Sequence, residues 1–140
     1  MPDPNFPFSN VYPAPIKFQH VIFPSSEHMY QAFKFPRERW AEIAKMPWRE
    51  AKALGKDTSF HPDWHEKKYK VMEAILRMKF APGTKLAQQL IDFKEPLVEW
   101  NTWHDNDWGH CYCGREACAG VGKNNLGKIL TRIRDDLRNN

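Results

Sequence analysis

Pro62-Asp63-Trp64-His65-Glu66-Lys67-Lys68-Tyr69-Lys70-Val71-Met72-Glu73-Ala74-Ile75-Leu76-Arg77-Met78-Lys79-Phe80 is the longest helical pattern in the chain. Proline suits the opening turn of a helix. Trp64, Lys68, Val71, Met72, Ile75, Leu76 and Lys79 fall roughly on one face, with charges elsewhere. Such a stripe has to be covered by other elements, and its neighbours on both sides are helical too. Two lysines on that face, Lys68 and Lys79, stand out.

Upstream, Pro47 opens Trp48-Arg49-Glu50-Ala51-Lys52-Ala53-Leu54, which Gly55 ends as a C′ residue. Glu38 to Lys45 reads as a short helix. Pro24-Ser25-Ser26 gives a stop and an N-cap, so a helix is expected from Glu27 to Phe35, ended by Pro36. Before it, Ile16, Phe18 and Ile22 alternate with Lys17 and Gln19, predicting one short strand over 16–23. Phe6 to Pro15 is an extended lead-in.

Downstream, Pro82-Gly83 is a turn and Thr84 caps a helix to about Phe93, with Leu86, Leu90 and Phe93 inward. Leu97 to Trp103 alternates loosely as a second strand. His104 to Lys123 is a long irregular loop, a kind usually functional or flexible. A last helix, Asn124 to Leu137, carries Leu126, Ile129, Leu130, Ile133 and Leu137. The fold class is therefore mainly α with a small β-sheet (α+β), in one domain over residues 1–140.

The 140 residues carry 21 basic and 17 acidic side chains, a formal +4, which permits an anionic ligand without requiring one. A hydrophobic share of 41% is globular, whereas a mean hydropathy of −0.71 concentrates the core in a few amphipathic elements. Six Trp, nine Phe and four Tyr exceed what a small core needs, so some rings are expected to line a cleft for a flat ligand. No apolar run reaches the roughly 20 residues of a membrane span. Met1-Pro2-Asp3-Pro4-Asn5 lacks the basic flank and apolar core of a signal peptide, so a cytoplasmic protein is expected.

Several constellations can carry chemistry. Glu27 stands in the first turn of a helix, where the dipole alone favours an acid. Gln31 and Lys34 follow it on the same face. Lys52 is either a solvated helix lysine or, in a polar cleft, a phosphate clamp or amine nucleophile. Asp107-Trp108-Gly109 offers an acid and a ring wall. Gly122-Lys123-Asn124 opens the last helix with backbone N–H groups suited to phosphate, although it is no P-loop. His110, Cys111, Cys113 and Cys118 are four soft ligands, but their compact spacing matches no standard finger or ribbon. Reduced cysteines without metal are expected there. Lys128, Arg132, Arg134 and Arg138, interrupted by Asp135 and Asp136, read as a solvated face.

Taken together, these segments resemble one family. Phe8-Ser9-Asn10-Val11-Tyr12-Pro13 looks like its LSNFYP motif. Pro24 through Lys34 looks like its TVEHYYQAxK helix, and Glu50-Ala51-Lys52-Ala53-Leu54-Gly55 is similar to its AKxLG segment. Asp63-Trp64 with Val71-Met72 through Lys79-Phe80 resembles DW…VM…ALxxKF. Asp107-Trp108-Gly109 and Gly122 through Leu130 resemble D-x-WG…GxNxLGxxLM. This is the NADAR superfamily, the YbiA-like riboflavin-intermediate N-glycosidases. The likeness spans nearly the whole chain in order. It departs in a longer loop between Gly109 and Gly122 and in Thr131 for the usual Met.

The resemblance implies a compact YbiA-like domain that hydrolyses the bond between ribose and a nitrogenous base. The substrates it implies are ribosylamino-pyrimidine phosphates of riboflavin synthesis or ADP-ribose on guanine in nucleic acid. No cofactor, membrane or obligate protein partner is implied. Breaking C1′–N needs stabilisation of oxocarbenium-like charge, with protonation of the departing nitrogen or activation of water. Glu27 is expected at C1′, Asp107 as a second acid, and Lys52 as clamp or imine-forming amine. Asn10, Tyr30, Gln31, Lys34, Trp108, Gly109 and Asn124 are expected to bind substrate. The alternatives are a silent ADP-ribose or nucleotide binder and a zinc-stabilised nucleic-acid module.

Overall fold

The computed structural model describes residues 5–140, which fall into two compact units, one up to residue 79 and one over 80–140. The leader reading of Met1 to Pro4 lies outside the described residues.

The first unit opens with a hairpin where one strand was expected. Strands β1 (Ile16–Phe18) and β2 (Val21–Phe23) pair antiparallel, with Ile16 opposite Phe23. Gln19 and His20, at φ 48° and 69°, make the connecting turn. Hairpin turns of this left-handed kind usually announce themselves with Asn-Gly or Gly. Gln-His gives no such signal, but the alternation changes register there: Ile16, Val21 and Phe23 are buried and Ile22 is exposed. Arg37 donates to the Gln19 carbonyl across the turn.

Helix α1 (Ser26–Ala32) follows, ending earlier than its sequence pattern predicts. Ser25 caps it, accepting from the His28 N–H at 3.3 Å. A short 3₁₀ turn at Arg37–Arg39 leads into α2 (Trp40–Ala44), followed by α3 (Trp48–Leu54) and α4 (Trp64–Lys79). All three of these helices pack on α1. The centre is filled by Phe23, Met29, Ala32, Ile43, Ala51, Ile75 and Leu76, each fully buried. Every residue of α1 is buried, its serine, glutamate, histidine and glutamine included. A packed helix with this much polarity needs a partner for each polar group.

The second unit holds α5 (Lys85–Asp92), capped by Thr84, and α6 (Asn125–Arg138), which pack together. The predicted strand over 97–103 shrinks to β3 (Trp100–Asn101), which pairs in parallel with β4 (His110–Cys111) inside the predicted loop. Among the described residues the sheet content is thus two separate two-stranded ribbons. Arg134 is buried rather than solvated. It donates to the Phe93 and Glu95 carbonyls at 2.8 and 2.9 Å, while Arg138 donates to those of Ile91 and Phe93. Both arginines satisfy carbonyls at the C-terminal end of α5, a position that favours cations. Among the described residues no helix is long and apolar enough to cross a membrane.

Candidate active site

Glu27 is built into α1 from both ends. Its backbone N–H donates to the Asn10 carbonyl at 2.9 Å, and its Oε1 accepts from Gln31 Nε2 at 3.0 Å. Asn10 is itself held by Ser26, whose hydroxyl reaches the Asn10 carbonyl at 3.1 Å and Oδ1 at 2.9 Å. The Phe8-to-Pro13 motif therefore docks on the first turn of α1, which positions the carboxylate. His28 is fixed from below. Its Nε2 donates to the Met46 carbonyl at 2.7 Å, which leaves Nδ1 to accept from the Ser25 hydroxyl at 2.7 Å.

Lys34, expected on the Glu27 face, is enclosed by two aromatic rings. Its Nζ donates to the Gly55 carbonyl at 2.8 Å and lies 5.0 Å from the Tyr30 ring centroid and 5.7 Å from that of Trp64. These two rings pack against each other at 5.3 Å. Trp64 therefore helps to cage an ammonium as well as filling core. Burial pulls the Lys34 ammonium down to about 8, and the neighbouring Lys68 and Lys52 pull the same way, while the Glu27 charge opposes them. Lys52 is exposed on α3. Glu27 on α1, Lys34 just past its C-terminal end, Lys52 on α3 and Lys68 on α4 thus form one electrostatic group, with Gln31 bonded to Glu27. The helical spacing identified Glu27, Gln31 and Lys34. Lys68 was signalled only by its place on an apolar face.

Gly55 is needed here for space rather than for a left-handed turn, since its φ is −70°. A Cβ at this position would stand 1.7 Å from Gln31 Oε1. Gly55→Ala is expected to push the Gln31 amide off Glu27 and to destabilise the fold by about 1–3 kcal/mol. Urea unfolding measures it, and a variant as stable as the parent would show that the pocket has slack.

Lys79, the other lysine on the α4 stripe, donates to the Ser9 carbonyl at 2.7 Å and lies 5.9 Å from the Tyr12 ring centroid. Burial lowers it to about 7 from an ordinary 10.5. The unfolded chain then holds more protons than the folded one between those two values, so stability rises with pH across that window. Urea unfolding at about pH 7 and about pH 9.5 is expected to show a gain approaching ~1 kcal/mol per pH unit, which Lys79→Met reduces. An unaltered slope in that variant would refute this source.

The second unit carries the Asp107 motif. Asp107 Oδ1 accepts from Asn125 Nδ2 at 2.9 Å, and Asp105 Oδ1 accepts from the N–H groups of Asp107 and Trp108. Lys123, Asn124, Asn125 and Leu126 donate their N–H groups to the carbonyls of Asn106, Gly109, Asp107 and Trp108. The opening of α6, read as a phosphate cradle, thus already grips residues 106–109. Asn124, at φ 51°, accepts on Oδ1 from the Glu99 N–H and donates through Nδ2 to the Leu97 carbonyl. Both ends of its amide hold backbone. Gly109 is buried, and a Cβ there would fall 2.1 Å from the Glu99 carbonyl. Its place in the motif follows from this close approach.

The NADAR domain family model matches residues 1–138. The N-glycosidase YbiA of Escherichia coli (strain K12) is 33% identical over 135 residues, covering 93% of this chain and 80% of that protein. An N-glycosidase of Nostoc punctiforme is 32% identical, over 94% of the chain and 85% of its own length. A riboflavin biosynthesis protein of Vibrio vulnificus is 33% identical over 98% of the chain, which spans only 37% of that protein. The NMR structure of Escherichia coli YbiA superposes with a TM-score of 0.75 at 34% identity, covering 94% of this chain and 77% of that one. The helix-rich α+β fold is shared with it. N-glycosidase is the enzyme class that recurs among these relatives. From a motif order that runs the length of the sequence, a fold shared with YbiA and the family match, this chain belongs to the NADAR domain family.

Proposed function

We propose that this chain is an N-glycosidase that cleaves a ribosylated base whose ribose carries phosphate. The observation that carries the reading is a buried carboxylate, Glu27, locked by Asn10 and Gln31 and set in a field of lysines. As C1′–N breaks, its electron pair leaves with the nitrogen, positive charge grows at C1′, and water adds there. The Glu27 carboxylate stabilises that charge and takes the proton of the water. Lys34, held near 8, is a far better proton donor at neutral pH than an ordinary lysine and supplies a proton to the departing nitrogen. Lys52 and Lys68 favour the phosphate. Asp107 and Trp108 keep the roles of second acid and ring surface on the strength of the motif, and residues 1–140 act as one catalytic domain in this reading.

Two substrates satisfy this chemistry: a ribosylamino-pyrimidine phosphate and ADP-ribose on guanine in nucleic acid. The first accords with the riboflavin biosynthesis names among the relatives. The test incubates the protein with each and follows released base and sugar. Turnover of one selects it. Binding without turnover of either would favour a silent ADP-ribose or nucleotide binder and overturn the enzyme.

A further inference from the structure

We propose that His104, Cys111, Cys113 and Cys118 form a structural zinc site. The three cysteines are free thiols, and one ligand atom from each of the four residues lies within 4.8 Å of the others. His104 Nδ1 stands 3.7, 3.5 and 3.4 Å from the sulfurs of Cys111, Cys113 and Cys118. A tetrahedral zinc with Zn–S of about 2.3 Å and Zn–N of about 2.0 Å requires sulfur–nitrogen edges of roughly 3.5–3.6 Å. The observed nitrogen–sulfur spacings bracket that value, and closing the sulfurs from within 4.8 Å to the roughly 3.8 Å of a tetrahedral site completes the fit.

The ligands are placed by local structure that is costly to build. His104 adopts φ 69°, rare for a residue other than glycine. Buried Asn101 imposes that turn: its Nδ2 donates to the Asp105 carbonyl at 2.7 Å and its Oδ1 accepts from the Asp105 N–H at 3.1 Å. The histidine ring is thereby turned toward the sulfurs. Cys111 is fixed through its N–H, which donates to Asn106 Oδ1 at 3.0 Å, and through β4. Cys118 ends the 3₁₀ turn at Glu116–Cys118. Four protein ligands leave no position for substrate or water, which is the composition of a structural site and not a catalytic one. The cysteines are reduced, as expected, and the proposed metal replaces the expectation that they bind none. The histidine also changes, because the sequence pointed to His110 beside Cys111, whereas the chain brings in His104.

Arg115 approaches Nε2 of His104 at 3.0 Å. A metal on Nδ1 leaves the ring proton on Nε2, which then cannot accept from a guanidinium. Arg115 is exposed and can swing away, so Arg115→Ala is expected to retain the metal. The competing arrangement is a ring that donates its Nδ1 proton to a thiolate and is held by Arg115.

The test is elemental analysis of the full chain purified without added metal or chelator. About one zinc per chain is expected for the parent, His110→Ala and Arg115→Ala, and about a tenth or less for Cys118→Ser and His104→Ala. Because ligand variants can misfold, chelator-stripped parent protein is also titrated with cobalt(II). Thiolate-to-cobalt charge transfer with tetrahedral d–d bands, reaching saturation at one equivalent, supports the site. Metal-poor parent protein that also fails to take up cobalt, a cysteine pair found as a disulfide, or iron in place of zinc would each overturn it. None of these readings depends on glycosidase activity.

Discussion

Glu27→Gln is expected to remove turnover, by about 10³-fold or more, with the fold intact. The substitution is nearly isosteric, and the new amide oxygen can still accept from Gln31, so the packing of α1 has little reason to change. What disappears is the charge. Its loss has a second, signed consequence. The Glu27 carboxylate is the group that holds the Lys34 ammonium up against burial, Lys68 and Lys52. Without it, Lys34 falls below its value of about 8. Steady-state assays on both candidate substrates measure the first effect, and a side-chain NMR titration of Lys34 measures the second. A rate unchanged from the parent would remove Glu27 from the mechanism. An unmoved Lys34 would mean that the two groups are not coupled.

Lys34→Met is expected to lower kcat/KM by about 10²-fold or more while leaving stability equal or higher. A buried ammonium is costly to desolvate, and a methionine of similar length fits the Tyr30–Trp64 cage. Loss of activity without loss of stability separates a chemical role from a packing role. The pH profile adds a sign. If Lys34 is the proton donor, kcat falls as pH rises through about 8, and Lys52→Ala moves that limb upward because Lys52 lowers Lys34. Asp107→Asn is the control: a basic limb lost in that variant instead would transfer the proton to Asp107. Borohydride trapping of an adduct on Lys34 or Lys52 would replace acid catalysis with an imine.

The main helices were legible because their signals are local. Pro62 and the stripe from Trp64 to Lys79 predict α4, and Ser25 predicts the start of α1. The 16–23 hairpin was hidden because its left-handed residues are Gln and His, which are not turn residues, and Ile22 continues the even-numbered apolar pattern although the structure exposes it. Gly55 was marked correctly as a helix end, but the space it leaves for Gln31 is a tertiary fact. In the candidate site, spacing put Glu27, Gln31 and Lys34 on one face. Burial, which gives Lys34 its altered acidity, depends on α3 and α4 and cannot be read from spacing. The same limit applies to His104, which lies seven positions before Cys111 and is brought to it by the Asn101 turn.

The grip of the α6 N-terminus on residues 106–109 bears on how the second unit opens. Those four hydrogen bonds occupy the N–H group of Lys123 and those of Asn124, Asn125 and Leu126, the last three being donors that a helix normally leaves to solvent or ligand. The Asp107–Trp108 segment is thereby coupled to the first turn of a helix whose Leu126, Ile129 and Ile133 are buried. Amide hydrogen exchange in that turn would follow opening of the segment and the helix together, as one cooperative unit, with local fraying suppressed. Residues 112–120 lie outside that unit. They carry Cys113 and Cys118, so a metal held there would tie this stretch to His104 and Cys111 independently of the helix.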